Sequence, residues 1–447
     1  MPYSQGTRLP GESASKLGHL TVIQSEWVKA LVSEFEHSTK VEADPGKTIW
    51  NEFDPTGLEP FRHVWAVDGS FVTIQSQDSP PKEVSFIKTA LLTIDRSKLD
   101  EIDKDHPHPL HLRDILTGSG IFHATVLPLK NIRTQKGNNF DTIRNIVFES
   151  MKIDQDGAFF ETLKWLAYQK WSPTPVHSPA FSCPHCKVEI EQGLPVDANE
   201  GKCSNCSNTV FLTDMIGFHL DMGEESAPDS VASAYMLIME HLMIFTPIRL
   251  LWHHQDKKIL ADSLLIKDGP LTLRGQYSKL VEPIREFLQY AKDQGRPVHI
   301  IGQEKSGRFF DHLASIARFA PPDSHGKKAN FAVLSHDYVR QEVYRVPDLA
   351  YPYGQRTNWG EKVYWKPDPG TYMVLNVPTG RYNKEEQFPQ PKDLIGLNRV
   401  LATLSNLISH KFEGALFPIE LANGIASMSS YPSAKILERF INENSPK

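Results

Sequence analysis

Four cysteines in 447 residues are too few for a disulfide-stapled fold, and a chain of this length does not need one. Also missing is the excess positive charge of a generic polyanion binder: the net charge is −6 and the pI is near 6.3. Any nucleic-acid contact must therefore use a local basic groove. No apolar run approaches the ~20 residues that span a bilayer. The opening stretch, MPYSQGTRLPGESASK, lacks the apolar core of a signal peptide. A cytoplasmic location with no membrane partner is the expectation. There is no internal repeat and no low-complexity tract. What is present is an ordinary globular composition, 40% hydrophobic and 23% charged. The length suits several domains, or one large domain carrying an insertion.

The few cysteines are placed with a pattern. They form two Cys-x-x-Cys pairs, CPHC (Cys183, Cys186) and CSNC (Cys203, Cys206). Two such turns at this separation match a ribbon that offers four thiolates to one tetrahedral zinc ion. A closed four-sulfur site leaves zinc no open position, so the metal is structural. Two disulfides are the competing reading, and nothing else in the chain suggests export. His185 lies inside the first turn and is not read as a ligand.

The pattern of apolar residues divides the chain. A helix is expected within 20–38, and two adjacent antiparallel strands at 63–77 and 84–95. Residues 100–220 read as an insertion: a Pro- and His-rich loop with His106, His108 and His111, two helices near 139–151 and 157–171, and the ribbon at 183–206. At 226 a helix begins, with Ser226 as N-cap and Asp229 as its reciprocal partner. Strands and helices then alternate to the end of the chain. Antiparallel strands followed by α/β alternation describe a mixed α/β sheet. The boundaries are 1–99 for the first part of the core, 100–220 for the inserted subdomain and 221–447 for the remainder of the core.

Three acids fall in elements that read as core. Asp68 shares its strand face with Val64 and Ala66. Glu240 interrupts a helix of Met, Leu, Ile and Phe, beside His241. Asp268 ends the apolar strand LLIKD. A buried charge without a partner costs several kcal/mol. Singly, each acid has an ordinary reading: a turn at Asp-Gly for Asp68 and Asp268, a solvent-facing position for Glu240. Together they point to a shared Mn²⁺ or Mg²⁺, hard cations that prefer carboxylate oxygens.

VWAVDGS (64–70) and LLIKDGPL (264–271), separated by a helix carrying Glu, resemble the NurA nuclease family, as does the tail FPIELANGIA (417–426). The resemblance covers residues 60–95 and 226–435. It implies an RNase H-like fold, manganese-dependent DNA cleavage in repair end-processing or antiviral defence, a homodimer, and partnership with a hexameric HerA-type ATPase translocase. Carried over by position, Asp68, Glu240 and Asp268 are the metal carboxylates, with Glu149 the alternative middle acid. Water would attack a phosphodiester between two metals. Asn423 stands where the family has His; an amide can ligate or position water but takes no proton.

In IIGQEKSGRFF, Gly302 and Gly307 have phosphate-loop spacing, yet Arg308 and Phe309 replace the Lys and hydroxyl that a nucleotide site needs. An NTPase is rejected, and Lys305 is assigned to a phosphate near the scissile bond. Lys187 and Lys202 are the only basic residues near the ribbon, so its expected role is partner docking. The rival class is an inactive adaptor that docks on a motor ATPase. Asn423 favours the adaptor, and the three retained carboxylates favour the enzyme.

Overall fold

The computed structural model describes residues 24–34, 49–97, 120–132, 134, 137–224, 226–321, 329–345, 353–368, 370–381, 389–409, 415–428 and 433–444. His106, His108 and His111 lie outside the described residues. The chain separates into Met1–Pro45 and Gly46–Lys447. In the first unit, α1 (Glu26–Ser33) is a short helix with no buried residue.

The second unit is built on a mixed sheet of nine strands, in the order β1-β11-β12-β13-β10-β9-β2-β3-β4. Its middle is parallel: β2 (His63–Gln75), β9 (Ser263–Asp268) and β10 (His299–Glu304) run the same way. On one side β3 (Glu83–Asp95) and β4 (Gly120–Lys130) continue it in antiparallel fashion. On the other side stand β13 (Met373–Val377), β12 (Glu361–Lys366), β11 (Ala329–Val333) and β1 (Asn51–Phe53), also antiparallel. β4 lies within the block expected to be inserted as a unit, and it extends the main sheet.

Alternation along the strands feeds two cores. Val67, Leu91, Leu265 and Ile300 face one, with α2 (Asn139–Ile153), α3 (Ala158–Ala167), α4 (Asp229–His253) and α5 (Val281–Asp293). Val64, Ala66, Leu92, Leu264 and Ile266 face the other, with α6 (Leu397–Leu404) and α7 (Phe417–Ala426). The pleat thus sends Asp68 and Asp268 to the α7 side, and Gly69 and Lys267 to the α4 side.

The central helix α4 is buried nearly all round, which is why its sequence shows no polar stripe. By length and composition it could cross a membrane, although 83% of its most apolar stretch is buried inside the protein. It is a core helix. Its start differs from expectation. The helix begins at Asp229 after Pro228, with no side-chain cap. Ser226 instead bridges to Lys130 beside the sheet, and Asp229 accepts a 2.7 Å hydrogen bond from Thr73 Oγ1. A strand contact has taken the capping residues.

At Gly69, α4 comes down onto β2. A Cβ there would stand 2.6 Å from Met236 Cγ and 2.7 Å from Glu240 Oε1. Gly→Ala at a relaxed strand position gains about 0.4–1 kcal/mol through the unfolded chain, whereas overpacking costs about 1–3 kcal/mol. Overpacking wins at this contact. Gly69→Ala is expected to lower stability by about 1–2 kcal/mol, read as a lower urea midpoint; an unchanged or raised midpoint would refute the close approach.

Candidate metal centre

β2 and β9 pair in parallel as far as Val67 opposite Lys267. β9 then ends, because Gly269 adopts φ +80° and its N–H donates to the Gln303 carbonyl at 2.7 Å. The turn folds so closely over β10 that a Cβ on Gly302 would meet the Gly269 oxygen at 2.6 Å. Asp68 and Asp268 are the next residues on their strands, at the carboxyl end of the parallel trio, where sites in open α/β sheets form. Gln303 is opposite Asp268 on β10 and fully buried. The Asp-Gly at 68–69 is therefore mid-strand and not a hairpin turn, while the Asp-Gly at 268–269 does end its strand.

Asp68 has one oxygen held by the protein and one buried without a partner, and Glu240 and Asp268 each pair an oxygen with a lysine. Asp68 Oδ1 accepts from the Gly69 N–H at 2.7 Å, while Oδ2 is buried with no partner. Glu240 Oε2 is 2.6 Å from Lys267 Nζ, and its Oε1 lies against Gly69. Asp268 Oδ1 is 3.0 Å from Lys305 Nζ. Asp68 is 5% exposed, Glu240 4% and Lys267 1%. Lys267 also donates to the Asp268 carbonyl at 2.6 Å. A lysine this deep is tolerable only with such partners.

Burial, then Asp268, then Glu240 push the Asp68 carboxyl up to about 7, against the Gly69 N–H and Lys305. Burial raises Glu240 as well, with Lys267 opposing. A high carboxyl pKa and an unpartnered buried oxygen are what a cation would relieve. The residues fit a hard divalent ion on those grounds. They are not drawn in around one: among the described residues, the cysteines form the group whose ligand atoms all lie within 4.8 Å of one another, and the acids form no such group.

The remaining expected residues divide. Lys305 reaches the site, on the turn after β10, with its side chain one-third exposed. Of the two candidates for the middle acid, Glu240 acts on the Asp68 carboxyl through its charge, while Glu149 stands on α2. Asn423 is on α7, which lies across β2 and β3, but it is exposed on that helix. One turn earlier, Glu420 keeps Oε1 buried without a partner. It was not among the expected residues; an acid inside FPIELANGIA was the available signal. His241 is fully buried, its Nδ1 2.7 Å from the Leu237 carbonyl. Burial and the Lys267 charge push it down to about 3, so it stays neutral.

The four cysteines converge on a second centre. Cys183 and Cys206 Sγ are 3.7 Å apart, and Cys186 and Cys203 Sγ 3.6 Å. Sulfurs arranged tetrahedrally at ~2.3 Å from one ion would be about 3.8 Å apart, whereas a disulfide is close to 2.05 Å. Each pair sits in a tight turn closed by Lys187 N–H to the Cys183 carbonyl and Ser207 N–H to the Cys203 carbonyl, with Lys187 and Ser207 at positive φ. Short hairpins β5–β6 (Phe181–Ser182, Glu189–Ile190) and β7–β8 (Glu200–Lys202, Thr209–Phe211) carry the turns. Arg144 of α2 clamps this lobe: its guanidinium makes a buried pair with Asp214 at 2.8 Å and contacts His185 Nε2 at 3.1 Å. His185 serves the clamp and is not part of the sulfur cluster.

No protein-family model matches the chain, and neither does any curated protein.

The raised Asp68 pKa has a signed consequence. Between the ordinary carboxylate value and about 7, the folded chain binds a proton that the unfolded chain has released. Ionising Asp68 therefore opposes folding. The penalty is complete above about pH 7 and is relieved as the pH falls toward the ordinary value. In buffer without Mn²⁺ or Mg²⁺, wild type should lose melting temperature between about pH 5.5 and 8 relative to Asp68→Asn. Parallel pH profiles for the two proteins would show that Asp68 is not strained.

Proposed function

We propose that this chain is a Mn²⁺- or Mg²⁺-dependent deoxyribonuclease of the NurA type, built on an RNase H-like core. One observation carries the proposal. The buried, unpartnered Oδ2 of Asp68 stands at the carboxyl end of parallel strands, beside Asp268 and with Glu240 Oε1 against the neighbouring Gly69. The RNase H-like reading is supported by the antiparallel set β4-β3-β2 running into β9 and β10, both parallel to β2.

Asp68, Glu240 and Asp268 would hold the metal. When bound, a divalent ion polarises phosphate and makes water a stronger nucleophile. The chain's own groups do the rest. Gly69 N–H and Lys267 fix the orientation of Asp68 and Glu240 before substrate arrives. Lys305, at the rim, is free to exchange Asp268 for a phosphate oxygen. His241, fully buried and too weak a base, removes no proton. The amide of Asn423, exposed on α7, removes none either.

Partnership with a HerA-type translocase and a homodimeric state belong to the same proposal. The acidic net charge supports a motor that delivers DNA, since independent capture depends on cationic contacts. The second reading, an adaptor without catalysis, is favoured by the exposed amide of Asn423. A Mn²⁺ cleavage assay, with and without a HerA-type ATPase, separates the two.

Asp268→Asn preserves local turn chemistry and removes like charge from Asp68. It should melt no lower than wild type, yet cleave DNA at least about 100-fold more slowly, a loss of roughly 2.7 kcal/mol in transition-state stabilisation. Cleavage near the wild-type rate would defeat the metal role.

In the same proposal the cysteine lobe holds a structural Zn²⁺. Elemental analysis of purified protein should find about one zinc per chain. Folded protein that is zinc-free and disulfide-bonded would contradict this.

A further inference from the structure

A groove of about 840 Å³ lies beside α5, away from the acids. One wall is the chain that leaves α3, where Gln169 at φ +51° begins the turn toward the cysteine lobe. The other wall is the first turn of α5 with the residues just before it. The loop 354–358 lines the groove as well. Arg285 of α5 holds that loop, its guanidinium donating to the carbonyls of Gly354, Gln355 and Asn358. Four cations line the groove, Lys279, Arg285, Arg356 and Arg381, against two acids, Glu282 and Glu286. The chain as a whole carries −6. Arg381 is paired with Glu286 at 2.5 Å, and Glu282 stands in a first helical turn, where the helix dipole favours an acid. Lys279 and Arg356 are exposed and, among the described residues, form no ion pair. Cations of one sign gathered in a concavity focus a positive potential there.

The same loop leads back toward the acid cluster. Leu273, just past the turn that ends β9, donates its N–H to the Thr357 carbonyl at 2.9 Å, and Thr272 Oγ1 donates to Asn358 Oδ1 at 3.1 Å. Tyr353, next to the loop, packs on Tyr344 and Phe309 with ring centroids 5.5 Å and 5.7 Å away. Arg308 stands over the Tyr344 ring at 5.3 Å. Three residues before it is Lys305, which reaches Asp268. Cations thus recur from the rim of the acids to the groove, with aromatic rings between them. Cations for the backbone and rings for the bases are what a single nucleic-acid strand uses. A small phosphorylated molecule would need the cations focused on one point, and here they are spread. A single strand bends into a concavity, whereas a duplex is stiff over about 150 base pairs.

We propose that this groove holds a single nucleic-acid strand, its phosphates on Lys279 and Arg356, and that the strand continues past Tyr344 and Arg308 to Lys305. The inference rests on the nuclease reading above for its choice of polyanion, and binding in the groove requires no metal. Arg285 is then a positioning residue, which sets the loop that carries Arg356.

The test follows the fluorescence anisotropy of a labelled oligothymidylate added to the full chain, in buffer free of Mn²⁺ and Mg²⁺. Wild type should bind the strand, and bind a duplex of the same length less well. Lys279→Gln combined with Arg356→Gln removes two phosphate contacts from exposed positions. The slope of log affinity against log salt should then flatten by roughly 1.4, and binding at about 0.1 M salt should weaken more than tenfold. Lys258→Gln, an exposed lysine ahead of β9, should change neither quantity. Equal melting temperatures for the three proteins show that a folding defect is not mimicking the loss. No binding by wild type, an unchanged slope in the double variant, a preference for duplex, or equal displacement of the strand by polyglutamate would each overturn the inference. Cleavage in Mn²⁺ is scored separately. Groove-dependent binding without cleavage would sink the nuclease reading alone, and strand cleavage indifferent to the double variant would sink the groove alone.

Discussion

The ion pair between Lys267 and Glu240 joins the long buried helix α4 to the middle of the sheet, and the geometry of the acid cluster depends on it. Both side chains are almost fully buried. Replacing such a pair with apolar residues is often neutral, but removing one partner strands the other at about 3–5 kcal/mol. The pair therefore constrains more than it stabilises. It sets the height of α4 above β2, a height that only glycine at 69 permits. It leaves Glu240 Oε1 pointing toward the strand that carries Asp68. It also ties β9 to its own terminal carbonyl, just where the chain must turn away from the sheet.

The same device recurs elsewhere. Beyond the turn from β10, Lys362 of β12 pairs with Glu304, and Asn376 of β13 bonds both of them. This second buried network holds β10 to the antiparallel half of the sheet. It keeps the loop carrying Lys305 at the rim of the acid cluster. In the helical layer, Arg144 plays the corresponding part, with Asp214 on one side and the rings of Phe140 and Phe211 within 5.8 Å and 5.3 Å of its guanidinium carbon. Buried lysine or arginine thus marks three joins: helix to sheet, parallel to antiparallel strands within the sheet, and cysteine lobe to helices.

The acid cluster and the cysteine lobe differ in what they demand of folding. The sulfurs come from two local turns and are gathered to within 4.8 Å. The carboxylates come from a strand, a helix and a strand that are distant in sequence, and lysines hold two of them apart. The first arrangement suits a permanent occupant. The second is held by lysines in place of a gathered ligand set.

Several features were legible in the sequence because they are local. The two Cys-x-x-Cys turns, the alternation in β2 and β3, the apolar run of β9 and the helix periods of α5 and α8 (Ser433–Asn444) each rest on neighbours a few residues apart. So did the suspicion attached to Asp68, Glu240 and Asp268, since an acid among apolar residues is visible without a fold. What only tertiary structure decided is pairing. β4 and β12 passed unnoticed, because GIFHATVLPLK and EKVYWK acquire strand character from β3 and β13 beside them. Ser226 lost its capping role to Lys130, a partner almost a hundred residues away. Lys267 looked like one more strand residue until α4 supplied its counter-ion. Pattern in one dimension shows that a charge is buried. Which group meets it depends on how sheet and helix stack, and that stacking is set by contacts no short window of sequence contains.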